Sequence, residues 1–201
     1  MRTLISIVTT ILLTVGTMRA APALDFKGLQ FGITLKDAIP KYKKLQGERH
    51  VMTDGDGVLA INISDTIAGL FPKNILMFFV QDDPALRPTN YSGSIEDVSP
   101  GLHEKILGCR LHTVSSDFSP IEFTTLKAAL VEKYGPPTTE TVNVMENGFG
   151  AKFDSHTITW KMDNGRIRLE EYYRTTETSQ LTWMLNTPWP KKDATEAAKD
   201  L

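Results

Sequence analysis

The chain has 201 residues, 22 Lys and Arg against 24 Asp and Glu, 41% apolar residues and a single cysteine. That charge balance argues against nucleic-acid binding, which needs a basic stripe. One cysteine excludes an internal disulfide, so the fold must rest on its hydrophobic core.

Residues 1–23 read as a targeting signal and are set aside from the fold. Arg2 supplies the positive start, Leu4 to Val15 the short apolar core, and Ala21-Pro22-Ala23 a small-x-small cleavage site before Leu24. The apolar run is too short, and too soon followed by Arg19 and Pro22, for a membrane span. An uncleaved anchor is the alternative, and no cysteine follows for lipid attachment. The expectation is a periplasmic or secreted protein with no transmembrane span after cleavage. Setting aside Arg2 and Arg19 leaves 20 basic residues against 24 acidic ones, a formal charge of −4. Residues 24–189 are taken as a single α+β domain, with two repeats, 24–115 and 116–189, as a further reading. Residues 190–201 read as a flexible charged tail.

Leu24 to Phe31 reads as a short opening strand, broken by Gly32. Thr34 can cap a helix with Asp37 three residues on, and Leu35, Ala38, Ile39 and Tyr42 give it an apolar face. Pro40 removes a backbone donor, which predicts a kinked or shortened helix ending near Leu45. His50 to Met52 and Val58 to Ile63 look like strands around the turn Asp54-Gly55-Asp56-Gly57. Asn74 to Val80, the most apolar run of the mature chain, reads as a central strand, with Ile106 to Val114 as its partner. Between them Gln81 to Glu104 is rich in Asp, Pro, Ser and Gly. It reads equally as a functional loop or as disorder.

The strongest helix signal is Phe118 to Pro137. Ser119 is the N-cap, Pro120 the first helical position and Glu122 the third, closing a capping box, with Phe118 and Phe123 at hydrophobic-staple spacing. Phe123, Leu126, Leu130 and Tyr134 make one apolar stripe, and Gly135-Pro136-Pro137 ends the helix. An antiparallel meander follows. Ile158, Trp160 and Met162 alternate on one face, and Asn164-Gly165 predicts a two-residue hairpin turn that sets Asp163 against Arg166 and Trp160 against Leu169. Leu181, Trp183 and Leu185 continue the apolar face. The predicted fold is therefore α+β: two helix-then-antiparallel-meander units forming a two-layer helix-on-sheet domain.

Chemistry is sparse. His50, His103, His112 and His156 lack the spacing of a helical zinc site. Asp54 to Gly57 fails the calcium-loop pattern, because Gly falls fourth and no closing Glu follows. No nucleophile elbow, P-loop or dinucleotide fingerprint occurs. Neither a metal nor a cofactor is expected. Cys109, flanked by Ile106, Leu107 and Leu111, reads as a small buried hydrophobe. Glu171 shares the phase of Ile167, Leu169 and Tyr173 and so stands out as a candidate functional carboxylate on a core face. The opposite face of the meander carries Thr159, Lys161, Arg166, Arg168, Glu170, Tyr172, Thr182 and Met184. Tyr, Arg and Met are the residue types of protein-binding faces, so Arg168, Tyr172, Met184 and Lys161 are the candidate partner-binding residues.

The motif Phe31-Gly32-Ile33-Thr34-Leu35-Lys36-Asp37-Ala38 is similar to the helix start of small envelope proteins. These are the β-lactamase-inhibitor-protein-like domains and the SmpA-type outer-membrane-assembly lipoproteins. Tyr134-Gly135-Pro136-Pro137 resembles the stop of the same helix. The resemblance implies two helix-then-meander units side by side, a sheet face that binds partner proteins, and no catalytic residues. The chain departs from it at Pro40 and in having no paired cysteines and no lipid-attachment cysteine. It also resembles a family of exported proteobacterial proteins with an F-G-x-T-L opening and a K-Y-G-x-P-T helix end.

The reading that follows is an exported, non-catalytic module that binds another protein in the envelope or extracellular space, as an inhibitor, immunity protein or assembly accessory. The alternatives are a periplasmic small-molecule or lipid binder using the space between helix and sheet, and a hydrolase assembled from His103, His112 or Glu171.

Overall fold

The structure, a computed structural model, describes residues 23–47, 50–54, 56–146 and 148–188. The signal segment up to Pro22, Gly55 of the acidic turn and the tail from Pro190 lie outside the described residues. No helix among the described residues is long and apolar enough to cross a membrane.

The chain opens as a small ribbon. Lys27 and Gly28, at φ 50° and 84°, turn β1 (Asp25–Phe26) back on β2 (Leu29–Gln30), the positive-φ pair that tight hairpins use. The Thr34 hydroxyl then accepts the Asp37 amide at 3.2 Å and starts α1 (Leu35–Ala38). Pro40 has no amide proton to continue the ladder, and the chain resumes helix only at α2 (Lys43–Gly47).

Three strands follow: β3 (His50–Thr53), β4 (Val58–Ile63) and β5 (Asn74–Val80). The stretch from Gln81 to Glu104 is built, not open loop. It holds a short 3-10 turn at Pro84–Leu86, strand β6 (Tyr91–Ser94), a second 3-10 turn at Ile95–Asp97 and the start of α3 (Pro100–Gly108). Strand β7 (Arg110–Phe118) does pair with β5 as expected, but Ile106 to Gly108, assigned to it from sequence, belong to α3.

Ser119 and Pro120 open a 3-10 turn that runs into α4 (Phe123–Tyr134). The Glu122 carboxylate accepts the Ser119 amide at 3.0 Å, closing the box, and Phe118 and Phe123 are both buried beside it. Gly135 stops the helix at φ 81° and donates its amide to the Val131 carbonyl. Strands β8 (Thr139–Glu146), β9 (Lys152–Lys161), β10 (Gly165–Glu170) and β11 (Ser179–Leu185) complete the chain.

Nine of these strands form one sheet in the order β6-β3-β4-β5-β7-β11-β10-β9-β8, and every neighbouring pair is antiparallel. This corrects the expected fold class. The molecule is mainly one large antiparallel sheet with few helices, not two helix-then-meander units in a two-layer helix-on-sheet α+β domain. Two physical causes account for the difference. Pro40 cuts the first helix into pieces of four and five residues, too short to form a layer. Strand β7 pairs with β5 on one side and β11 on the other, which fuses the strands of both halves into one sheet. The 115/116 boundary of the proposed repeats falls inside β7.

One face of the sheet is apolar and buried. Leu59, Ile61, Ile75, Met77, Phe79, Val114, Ile158, Trp160, Ile167, Leu169, Leu181 and Trp183 are each no more than 4% exposed. Leu126 and Leu130 of α4, Ile106 of α3, Leu35 of α1 and Leu24, Phe26 and Leu29 of the opening segment belong to the same core. The cover is thus a patchwork of short elements, and α4, at 12 residues, is the longest helix among the described residues. Trp160 ties that helix to the sheet, donating its indole N–H to the Gly135 carbonyl at 2.9 Å.

The β9–β10 register also differs from expectation. Trp160 faces Ile167 and Lys161 faces Arg166, so the turn spans Met162 to Gly165 and is not a two-residue Asn-Gly turn. The slip is by two residues, which preserves the face of every side chain. Gly165 is needed for space and not for a positive φ: a Cβ there would lie 2.4 Å from the Met184 carbonyl oxygen and 2.6 Å from Leu24 Cδ2.

Candidate functional site: the open face of the sheet

Alternation that buries one face presents the other. On the open face, the paired strands arrange their side chains in rows across the sheet, and two of those rows are long. Pairwise register places Met52, Ala60, Phe78, Thr113, Met184, Arg166 and Lys161 side by side across β3, β4, β5, β7, β11, β10 and β9. The next row runs Asn62, Leu76, Ser115, Thr182, Arg168 and Thr159. A third begins at Asn74 and continues through Asp117, Gln180 and Glu170. At about 4.8 Å between strands, the first row is about 30 Å long.

The middle of this face is concave, a groove of about 460 Å³ lined by residues of β5, β7, β11 and β10 together with Tyr173 and Arg174. Its polar end is internally satisfied. Asp117 accepts the side-chain amides of Asn74 and Gln180, each at 3.0 Å. Arg168 donates to Glu170 at 2.9 Å on the same strand. Its other cations are less compensated. Arg166 donates to the Met184 sulfur at 3.2 Å, and Arg174, held at φ 61°, stacks its guanidinium 5.0 Å from the centre of the Tyr173 ring. With Asp117 and Glu170 the only acids in the groove lining against Arg166, Arg168 and Arg174, this face is cationic on a chain whose formal charge is −2.

The candidates named from sequence distribute unevenly on this face. Arg168 and Met184 line the groove, and Lys161 extends it beside Arg166. Tyr172 does not line it: β10 ends at Glu170, and the Tyr172 ring packs edge-on against Phe153, centroids 6.3 Å apart. Tyr173, assigned from sequence to the core, lines the groove instead, because the chain bends after β10 and the strict alternation is lost. Glu171 lies in the same bend. Its carboxylate accepts the His156 amide at 3.2 Å, its own amide donates to the His156 carbonyl, and its carbonyl accepts the Ser179 hydroxyl. That is a strand-end clasp, and no buried carboxylate results.

Asn74, Asp117, Gln180 and Arg174 were not singled out from sequence. The first three meet only through the β5–β7 and β7–β11 pairings, contacts between distant segments that no local turn signal encodes. Arg174 depends on a left-handed residue that composition does not announce.

The histidines lie on separate elements, His50 on β3, His103 on α3, His112 on β7 and His156 on β9. His112 is the extra residue of a β7 bulge, since Phe78 faces Thr113 and Phe79 faces Leu111. Its ring is buried, with Nδ1 2.9 Å from the Thr113 hydroxyl and Nε2 2.7 Å from the Thr187 carbonyl. His103 lies on α3, and His156 bonds Glu140, whose carboxyl the Lys127 hydrogen bonds hold below its usual range. Among the described residues no three His, Cys, Asp or Glu side chains gather as a metal site would require. Asp54 spends one carboxylate oxygen on the Asp56 and Val58 amides of its own turn. Cys109 is fully buried, and burial pushes its thiol up to about 12, which leaves it protonated and unreactive at neutral pH.

Comparison with protein-family models, with curated proteins and with solved structures found no match.

Proposed function

We propose that the open face of the sheet is a docking surface for another protein, and that the chain acts as a non-catalytic binding module of inhibitor, immunity or envelope-assembly type outside the cytoplasm. The observation that carries this reading is the row Met52–Ala60–Phe78–Thr113–Met184–Arg166–Lys161. Its first part is soft and apolar and its last part cationic, a pairing of Met, aromatic and Arg chemistry that interface cores favour. Size points the same way. A face about 30 Å long and three rows deep is far larger than a metabolite needs, and extends toward the roughly 800 Å² per partner of a standard interface.

Charge selects the partner. Arg166, Arg174 and Lys161 favour an acidic surface, and long-range attraction would speed its capture. The resemblance of Phe31 to Ala38 and of Tyr134 to Pro137 to small envelope proteins that bind partners through a sheet supports the same function, while the export signal read in residues 1–23 supports the compartment. The test is a pull-down from an envelope extract with the tagged mature protein, comparing it with a charge-reversed Arg166→Glu/Arg168→Glu variant of equal thermal stability. A partner retained by the first and lost by the second supports the proposal. Identical capture by both contradicts it.

A further inference from the structure

The two edges of the sheet are built differently. At one end β6 is four residues long, contains Gly93, and has its Ser94 carbonyl bonded by the Tyr91 hydroxyl at 2.6 Å. An edge strand that short leaves little for another chain to pair with. At the other end β8 runs for eight residues in unbroken register with β9, and among the described residues no strand covers its outer side. In an antiparallel ladder alternate residues direct both backbone N–H and C=O away from the paired strand, so half of β8 presents an open row of donors and acceptors. Edges of this kind are ordinarily guarded by lysine, proline, a bulge or a covering element. Thr139–Glu146 has no Lys, Arg, Pro or bulge, and seven of its eight residues are exposed, so the row can be reached.

The side chains of β8 state what would fit. Alternation puts Glu140, Val142, Val144 and Glu146 on one face, with the two valines 53% and 65% exposed. Residues directly opposite across a ladder contact one another, and like charges there are destabilising. A second copy of β8 is therefore a poor match. Full antiparallel overlap sets Glu140 against Glu146 at both ends, and parallel overlap sets each Glu against itself. Glu140 is already bonded to Lys127 and His156 of its own chain, whereas Glu146 forms no ion pair among the described residues. We propose that the outer edge of β8 takes up an extended segment of another protein as a further antiparallel strand. Two apolar residues of that segment, one residue apart, face Val142 and Val144, and a Lys or Arg faces Glu146. This edge is distinct from the open face, and the proposal stands whether or not that face docks a partner.

The full mature chain would be titrated to millimolar concentration with the capped heptapeptide Lys-Thr-Val-Thr-Val-Thr-Lys, with backbone amides and their hydrogen exchange followed by NMR. The proposal predicts binding that slows exchange in β8 and leaves the β6 edge unchanged. At low salt it predicts about fivefold weaker binding of Glu-Thr-Val-Thr-Val-Thr-Glu, the worth of turning an attractive cross-strand pair into a repulsive one. Glu146→Gln should shrink that preference to below about twofold without lowering the melting temperature. The first peptide N-methylated on its central Thr and on the Val before it should not bind, because one of those two amides must donate to β8. Absence of binding by the first peptide, binding that survives the N-methylation, or a charge preference undiminished by Glu146→Gln would each overturn the proposal. So would protection of β8 that rises with protein concentration alone, which would make a second copy the occupant.

Discussion

Arg166 on β10 lies directly across from Met184 on β11, and its guanidinium meets the methionine sulfur at 3.2 Å in place of a carboxylate. Among the described residues no acid forms an ion pair with it, whereas Arg168, two positions on, is held by Glu170. The two arginines share a face and differ in availability. Arg166→Ala should therefore weaken partner binding by about 1 kcal/mol or more, as anchor residues do, while stability changes by no more than about 0.5 kcal/mol. Arg168→Ala should weaken binding less, since its charge is already half answered. Calorimetric titration of the captured partner and thermal melts of both variants check this, and raising the salt concentration should shrink the Arg166 effect.

Trp160 is the point at which α4, the longest helix among the described residues, is fixed to the sheet, through the Gly135 carbonyl and through burial. Trp160→Ala should cost roughly 3–5 kcal/mol as a core truncation. Trp160→Phe retains most of the volume but leaves the Gly135 oxygen without that donor, and should cost less, on the order of 1–3 kcal/mol. Urea unfolding of the two variants separates packing from hydrogen bonding.

Gly165 tests the register of the last hairpin. Its backbone conformation suits any residue, yet a Cβ would run into the Met184 carbonyl and Leu24. Gly165→Ala should destabilise by about 1–3 kcal/mol through overpacking, and the loss should be seen as a lower midpoint in urea with an unchanged slope.

Asp65 contributes to the acid dependence of stability. Burial alone would raise its pKa, but hydrogen bonds from Lys27 at 2.6 Å, Tyr42 at 2.5 Å and the Thr66 amide outweigh it and bring the carboxyl down to about 2. Because the folded value lies below the ordinary one near 3.8, the folded state holds fewer protons in that window. The stabilisation is present above about pH 4 and is lost as pH falls toward 2. In thermal melts the wild-type protein should lose stability across that interval, and Asp65→Asn should show a lower melting temperature at pH 7 with a flatter acid profile.

Local signals carried the parts of this fold that local physics decides. The Thr34 cap, the Ser119–Glu122 box, the Gly135 stop and the alternation through Trp160, Leu169 and Trp183 all lie where spacing placed them. The fold class was missed because it turns on long-range pairing. Nothing near Arg110 to Phe118 states that this strand joins Asn74 to Val80 on one side and Ser179 to Leu185 on the other. The candidate face was legible for the same reason that its partners were not. A two-residue error in register leaves every side chain on its own face, so Arg168 and Met184 were found, whereas Asp117 and Gln180 needed the pairing itself. Tyr173 was misplaced because β10 ends at Glu170, three residues short of it, and the alternation is lost beyond that point.

The most direct test of the docking surface is site-specific photocrosslinking in the native envelope. A photoreactive residue would replace Thr182, in the middle of the open face, or Glu132, on the exposed side of α4. The account predicts one protein crosslinked from position 182, not from position 132, and lost when Arg166 is also changed to Glu. Crosslinking of the same protein from 132 but not from 182, or a crosslink at 182 indifferent to the Arg166 reversal, would contradict the claim that this face is where the protein works.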